Sequence, residues 1–179
     1  MGPSTGDPIS LIYFAWYEAN NTSVTGWALN LIENDNLQNA FKSLKKIRGV
    51  GDKISSFYLR DMYILSGYNN INIQNRHLLQ PIDIWTRRAA QILSRDHHAT
   101  DRNYAEVLIT LEDEFGMVTG ASNIGFWVLG SQIAEDEKTF TNFVQCIKDR
   151  NRNRLRTLLN NKITEQRKWL KFLETIPID

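Results

Sequence analysis

Two residues of this chain carry side chains suited to breaking a covalent bond, Lys53 and Asp83, and each stands beside a helix-start signal. Lys53 follows Ile47-Arg48-Gly49-Val50-Gly51 by two positions. A cation in the first turn of a helix opposes the macrodipole, and partial burial there would favour the neutral, nucleophilic amine. The same lysine can instead simply contact phosphate. Asp83 lies in Gln80-Pro81-Ile82-Asp83-Ile84-Trp85-Thr86-Arg87-Arg88. Facing a sugar, its carboxylate would stabilise the positive charge that develops as a base departs. Its structural alternative is to cap a helix, which Pro81 just upstream fits.

The elements that must present these groups are legible in the hydrophobic spacing. Leu37, Ala40, Phe41, Leu44 and Ile47 follow the i, i+3, i+4, i+7 rule of an amphipathic helix. Ile54, Phe57, Tyr58, Met62 and Leu65 mark a second, closed by Gly67 as a C-terminal cap. Between them, hydrophobic-X-Gly-hydrophobic-Gly predicts a tight hairpin over about residues 37–66. Both glycines are expected to permit positive φ, and Val50 to lock the turn inward. Free N–H groups at the start of the second helix would then face outward, ready for phosphate. Lys42, Lys45, Lys46, Arg48 and Lys53 surround this turn against the single anion Asp52. Gly49, Val50, Gly51, Lys46 and Arg48 are therefore the expected contacts to a nucleic-acid backbone, which such a turn holds without reading sequence. The plain alternative is a helix–Gly–helix turn with no ligand.

Further along, a polar loop runs from Tyr68 to Gln80, and a helix starts near Ile82 with Trp85, Ala89, Ile92 and Leu93 inward. Tyr104, Val107, Leu108, Leu111 and Phe115 form a stripe stopped by Gly116. Ser122 is the expected N-cap of a core helix from Asn123 to Ala134. Phe140, Phe143, Val144 and Ile147 give another helix, and the last runs from about Asn151 to Glu174, ended by Pro177. Earlier, Leu11–Trp16 reads as a short buried helix or strand and Trp27–Ile32 as a helix, while residues 1–10 are expected to be poorly ordered. No segment alternates with period two. The 179 residues predict one all-α domain, a multi-helix orthogonal bundle of seven to nine short helices containing a helix-hairpin-helix motif.

Composition narrows the partners. Net charge is +1, so cations act only as local patches, around the hairpin and from Arg150 to Lys171. The second patch reads most simply as a solvated helix face. A lone cysteine, Cys146, excludes an intrachain disulfide and a cysteine-ligated iron–sulfur cluster. His77, His97 and His98 lack zinc-site spacing. No metal or other cofactor is expected, apart from a monovalent cation, for which the hairpin is the candidate site. No apolar run reaches the ~18 residues of a membrane span, and no secretory signal opens the chain. The expectation is a monomer that does not engage a membrane and is cytoplasmic and nucleoid-associated, as in a prokaryote, or otherwise intracellular.

The stretch IRGVGDKISSFYLRDM, followed by LLQPIDIWTRRAA, resembles the helix-hairpin-helix DNA glycosylases, the group of endonuclease III and the 8-oxoguanine glycosylases. SNIGFWVLGSQIA extends the likeness weakly, so that it covers about residues 37–134. Lys53 matches that family's Schiff-base lysine and Asp83 its aspartate. The resemblance implies a base-excision-repair glycosylase with AP-lyase activity on double-stranded DNA containing a damaged base, such as an oxidised purine, or an abasic site. Lys53 and Asp83 stand 30 positions apart, closest to the archaeal 8-oxoguanine glycosylase type. The longer loop carries Arg76 and His77, which with Arg87 are candidates for reaching DNA or the base. Two departures stand out: Trp85 takes a place where many members have histidine, and the part before the hairpin is short for the family. The alternative is a non-catalytic helix-hairpin-helix DNA-binding protein, or a truncated relative of the enzymes.

Overall fold

The computed structural model describes residues 8–19, 23–67 and 73–173. Nine α-helices make up this part, and no strand occurs among the described residues. They are α1 (Pro8–Tyr13), α2 (Val24–Glu33), α3 (Leu37–Leu44), α4 (Asp52–Leu65), α5 (Ile84–Ser94), α6 (Asp101–Phe115), α7 (Ala121–Val128), α8 (Glu137–Lys148) and α9 (Arg152–Leu173). Wider π-helical turns continue α1 over Phe14–Glu18 and α7 over Leu129–Ile133, and a 3-10 turn occupies Arg76–Leu79. The all-α bundle is the fold class that the spacing predicts.

Helix boundaries follow from capping chemistry. The Ser23 hydroxyl accepts from the Gly26 N–H at 3.0 Å and starts α2. Thr100 and Asp136 do the same for α6 and α8. Gly67 and Gly116, at φ 68° and 62°, take the left-handed conformation that ends α4 and α6.

Burial is divided between two apolar clusters. The first gathers Phe14, Ile32, Leu37, Phe41, Leu59 and Tyr63 from α1 to α4 and is closed by Leu78 and Leu79. The second gathers Ala89, Leu108, Phe126, Phe140, Phe143 and Val144 from α5 to α8, with Leu155, Leu158 and Leu159 of α9 packed on it. Buried polar side chains bridge elements of the two clusters: Arg60 of α4, Gln80, Glu112 of α6 and Asn123 of α7.

Several expected faces are rotated. In α4 the buried positions are Ser55, Ser56, Leu59, Arg60 and Tyr63, while Ile54 and Leu65 are exposed. The face shifts because α4 buries two small serines together with Arg60, whose guanidinium reaches Asn123 of the polar layer. In α6 the buried face is Tyr104, Ala105, Leu108, Ile109 and Glu112, and Phe115 is 44% exposed. The Leu11–Trp16 segment is helical, yet only Phe14 of it is buried. Ser122 does not cap α7, which begins two residues earlier than expected, at Ala121 after Gly120. Its hydroxyl donates instead to Glu112 Oε1 at 2.7 Å. Of residues 1–10, Pro8–Ser10 already belong to α1, and 1–7 lie outside the described residues. So do 68–72 of the expected loop and Pro177.

Candidate functional site

The turn between α3 and α4 is built by short-range backbone bonds. Lys46, Ile47 and Val50 N–H groups donate to the carbonyls of Ser43, Leu44 and Ile47 at 3.0 Å each. Ile47 is buried and Val50 packs against the first cluster, so the turn is pinned from inside. Gly49 sits at φ 88°, where a Cβ is strained. Gly51 does not share that role. Its φ of −94° and ψ of −173° are extended, and a Cβ there would meet nothing within 4 Å. Its contribution is space: no side chain caps α4, so the first N–H groups of that helix are not covered from within.

Around this turn the cations are partly committed. Lys45 pairs with Asp52 at 2.5 Å and Lys46 with Glu18 at 2.6 Å. Arg48 and Lys53 are exposed. Lys53 Nζ lies over the Phe57 ring, 5.6 Å from its centroid, and the Arg60 guanidinium lies 4.8 Å from that ring. Lys53 thus has an exposed position in the first turn of α4, without the partial burial considered for it from the sequence.

Asp83 is 8% exposed and starts α5 in a capping box. Its Oδ1 accepts from the Thr86 N–H at 2.8 Å and the Thr86 hydroxyl at 2.9 Å, while its own N–H donates to Thr86 Oγ1 at 2.7 Å. The structural role foreseen for Asp83 is therefore real, and the box uses Oδ1 alone.

What joins α4 to the start of α5 is a pair of side chains absent from the sequence-based site. Arg60 Nη1 donates to Asn123 Oδ1 at 2.7 Å, and Asn123 Nδ2 donates to the Pro81 carbonyl at 2.6 Å. Gly120 lets this happen, since a Cβ there would fall 2.6 Å from Arg60 Cγ. Next to it, the fully buried Glu112 accepts at Oε1 from the Gly120 and Ser122 N–H groups and the Ser122 hydroxyl. At Oε2 it accepts from Gln80 Nε2 at 2.8 Å. Burial pushes the Glu112 carboxyl above its ordinary value, against the opposing pull of those donors. The signal for Glu112 was present in its spacing, eight residues after Tyr104 and four after Leu108, which places it on the buried stripe.

The remaining sequence-based candidates are tied to the protein itself. Arg76 donates to Thr119 Oγ1 at 3.0 Å and pairs with Asp113 at 2.8 Å. His77 is mostly buried and stands 4.0 Å from Glu106; burial lowers its pKa. Arg87 pairs with Asp101 at 2.7 Å. Trp85 packs on Phe140 at 5.0 Å between centroids, with the ring planes tilted by 53°, and fills the space over Gly130. No group of three or more potential metal ligands occurs among the described residues, and no described helix is long and apolar enough to cross a membrane.

The chain is 34% identical over 83 residues to the uncharacterized protein MJECL21 of Methanocaldococcus jannaschii. That match covers 46% of this chain and 19% of the relative. No family model matches the chain, and no solved structure matches it at a significant level.

Proposed function

We propose that this chain is a DNA glycosylase with AP-lyase activity, acting on a damaged base in duplex DNA, with Lys53 as nucleophile and Asp83 as its carboxylate partner. The observation that carries the reading is the pairing of two elements. A glycine turn leads into an uncapped helix bearing Lys53, and that helix is bridged through Arg60, Asn123 and the Pro81 carbonyl to the buried carboxylate at the head of α5. The resemblance of the IRGVGDK and LLQPIDIW stretches to the helix-hairpin-helix glycosylases supports the reading, with Lys53 and Asp83 matching that family's lysine and aspartate.

In this reading the α3–α4 turn is the hairpin that holds a phosphate on its N–H groups, with Lys46 and Arg48 flanking. The damaged nucleotide leaves the stack, because its glycosidic bond is out of reach inside the duplex. Docking of the nucleotide supplies the desolvation that the exposed Lys53 lacks. Asp83 Oδ2, outside the capping box, takes a proton from the Lys53 ammonium and faces the positive charge on the sugar. Lys53 Nζ bonds to C1′ as the base leaves with the bonding electron pair. Nζ then sheds a second proton and the C1′–O4′ bond breaks, its electron pair going to O4′, which takes up a proton as the sugar ring opens. The imine so formed makes the C2′ proton acidic, and loss of that proton expels the 3′ phosphate by β-elimination.

The capping box favours a second reading, a DNA-binding module without chemistry, because it gives Asp83 a full structural purpose. Borohydride trapping on abasic-site DNA separates the two. The catalytic reading expects a covalent adduct that vanishes in Lys53→Ala. Salt-sensitive duplex binding with no adduct would leave the module.

A further inference from the structure

The first described helix is anchored from one side and bare on the other. Tyr13, Trp16 and Tyr17 are 59%, 62% and 66% exposed, and Ile12 beside them is 66% exposed. Scattered apolar side chains on a surface need no explanation, but a contiguous cluster of large rings marks an interaction site. The rings are ordered among themselves: Tyr13 and Tyr17 stack at 4.4 Å between centroids, with 29° between planes.

The segment is also fixed in place. Phe14 is 1% exposed and meets Trp27 edge-on at 4.8 Å. Glu18 binds Lys46 Nζ at 2.6 Å and accepts from the Ser43 hydroxyl at 3.3 Å. These two anchors set the rotation of the segment, so Tyr13, Trp16 and Tyr17 are presented outward together. Both partners of Glu18 belong to the last turn of α3 and the turn after it, where Lys42, Lys45 and Arg48 are exposed. An aromatic face is thereby bolted to a cationic one.

That combination has one ligand chemistry in common. Ring faces accept any nucleobase by stacking, and the adjacent cations hold the phosphates that connect the bases. A second copy of the chain fits less well. Symmetric pairing of this face would bring the cationic edge of each copy toward the other's. We propose that Tyr13, Trp16 and Tyr17 form a stacking platform for unpaired nucleobases, working with the basic α3–α4 turn. The inference rests on the nucleic-acid reading above and adds to it a preference for DNA whose bases are already unpaired.

The test measures fluorescence anisotropy of the full chain with two labelled DNAs at equal salt, one fully paired and one carrying a four-nucleotide unpaired bubble. Trp16→Ala and Tyr17→Ala are each expected to weaken bubble binding by about fivefold or more and to leave paired-duplex binding within about twofold. Trp16→Phe and Tyr17→Phe, which keep a ring, are expected to restore most of the loss. Equal loss on both DNAs, or no loss on either, overturns the platform while leaving the reading of the chain as a duplex binder in place. If the unaltered chain binds neither DNA, the nucleic-acid reading falls and the platform with it. Sedimentation velocity adds a further check: a dimer that Trp16→Ala converts to monomer would assign the face to a second copy and overturn the proposal.

Discussion

Arg60 and Asn123 meet at 2.7 Å in the layer between the two apolar clusters, and through this bond α4 is tied to α7 and, by the Pro81 carbonyl, to the head of α5. Arg60 is 7% exposed and Asn123 is fully buried. Asn123→Ala removes an acceptor from a buried guanidinium and a donor from a buried carbonyl at once. Unsatisfied groups of this kind cost about 1–3 kcal/mol each, so the variant is expected to lose about 2–4 kcal/mol of stability. Urea unfolding followed by circular dichroism reads it. A loss under about 1 kcal/mol would mean that water replaces the bridge.

Glu112 makes stability depend on pH. Burial raises its carboxyl pKa above the ordinary 4.5, despite four donated hydrogen bonds and the Arg76 guanidinium 4.0 Å away. A carboxyl whose folded pKa exceeds its unfolded one binds its proton more tightly in the native state. Its contribution to stability is therefore complete below pH ~4.5 and is lost as pH rises through the folded value. Glu112→Gln is expected to remove that decline. The three bonds to Oε1 can persist, and Gln80 can turn its amide so that Oε1, which has no partner, accepts from the new amide nitrogen. Thermal melts from pH 4 to 8 compare the two slopes. An unchanged slope in the variant would remove Glu112 as its source.

The two glycines of the α3–α4 turn are expected to separate in effect. Gly49, at φ 88°, should lose about 1–2 kcal/mol when replaced by alanine, because a Cβ is strained in the left-handed region. Gly51 is extended and has open space around it, so Gly51→Ala should leave stability nearly unchanged. If the turn holds phosphate on its N–H groups, the added methyl shields them, and duplex affinity falls although the melting temperature does not. Parallel unfolding and binding titrations on the two variants settle which role each glycine has.

The extent to which the sequence foretold these features differs from element to element. Leu37, Ala40, Phe41, Leu44 and Ile47 are all buried as their spacing implies, because α3 packs one clean apolar stripe into one cluster. In α4 the same rule selected Ile54 and Leu65, which are exposed, since periodicity counts apolar residues and this helix turns serines and an arginine inward. The bridge was hidden for the same reason. Arg60, Gln80, Glu112 and Asn123 are polar residues whose burial depends on finding one another across 32 to 63 positions of chain. Glycine pairs also look alike in sequence, whereas only Gly49 of the turn adopts positive φ. The aromatic run near the start read as core because exposed and buried rings share one composition.

Asp83 allows structure and chemistry to be tested apart. Its Oδ1 caps α5 by accepting from the Thr86 N–H, and asparagine caps helices about as well as aspartate does. Asp83→Asn is therefore expected to fold with stability within about 0.5 kcal/mol of the original, whereas Asp83→Ala should lose about 1 kcal/mol or more. The charge is what Asn lacks. If Asp83 takes the Lys53 proton and faces the cationic sugar, Asp83→Asn should lower single-turnover base excision by at least about 100-fold while duplex affinity stays close to the original. Trapping at a preformed abasic site should fall less, since no glycosidic bond is broken there. A folded Asp83→Asn protein that excises bases at the original rate would confine Asp83 to its cap.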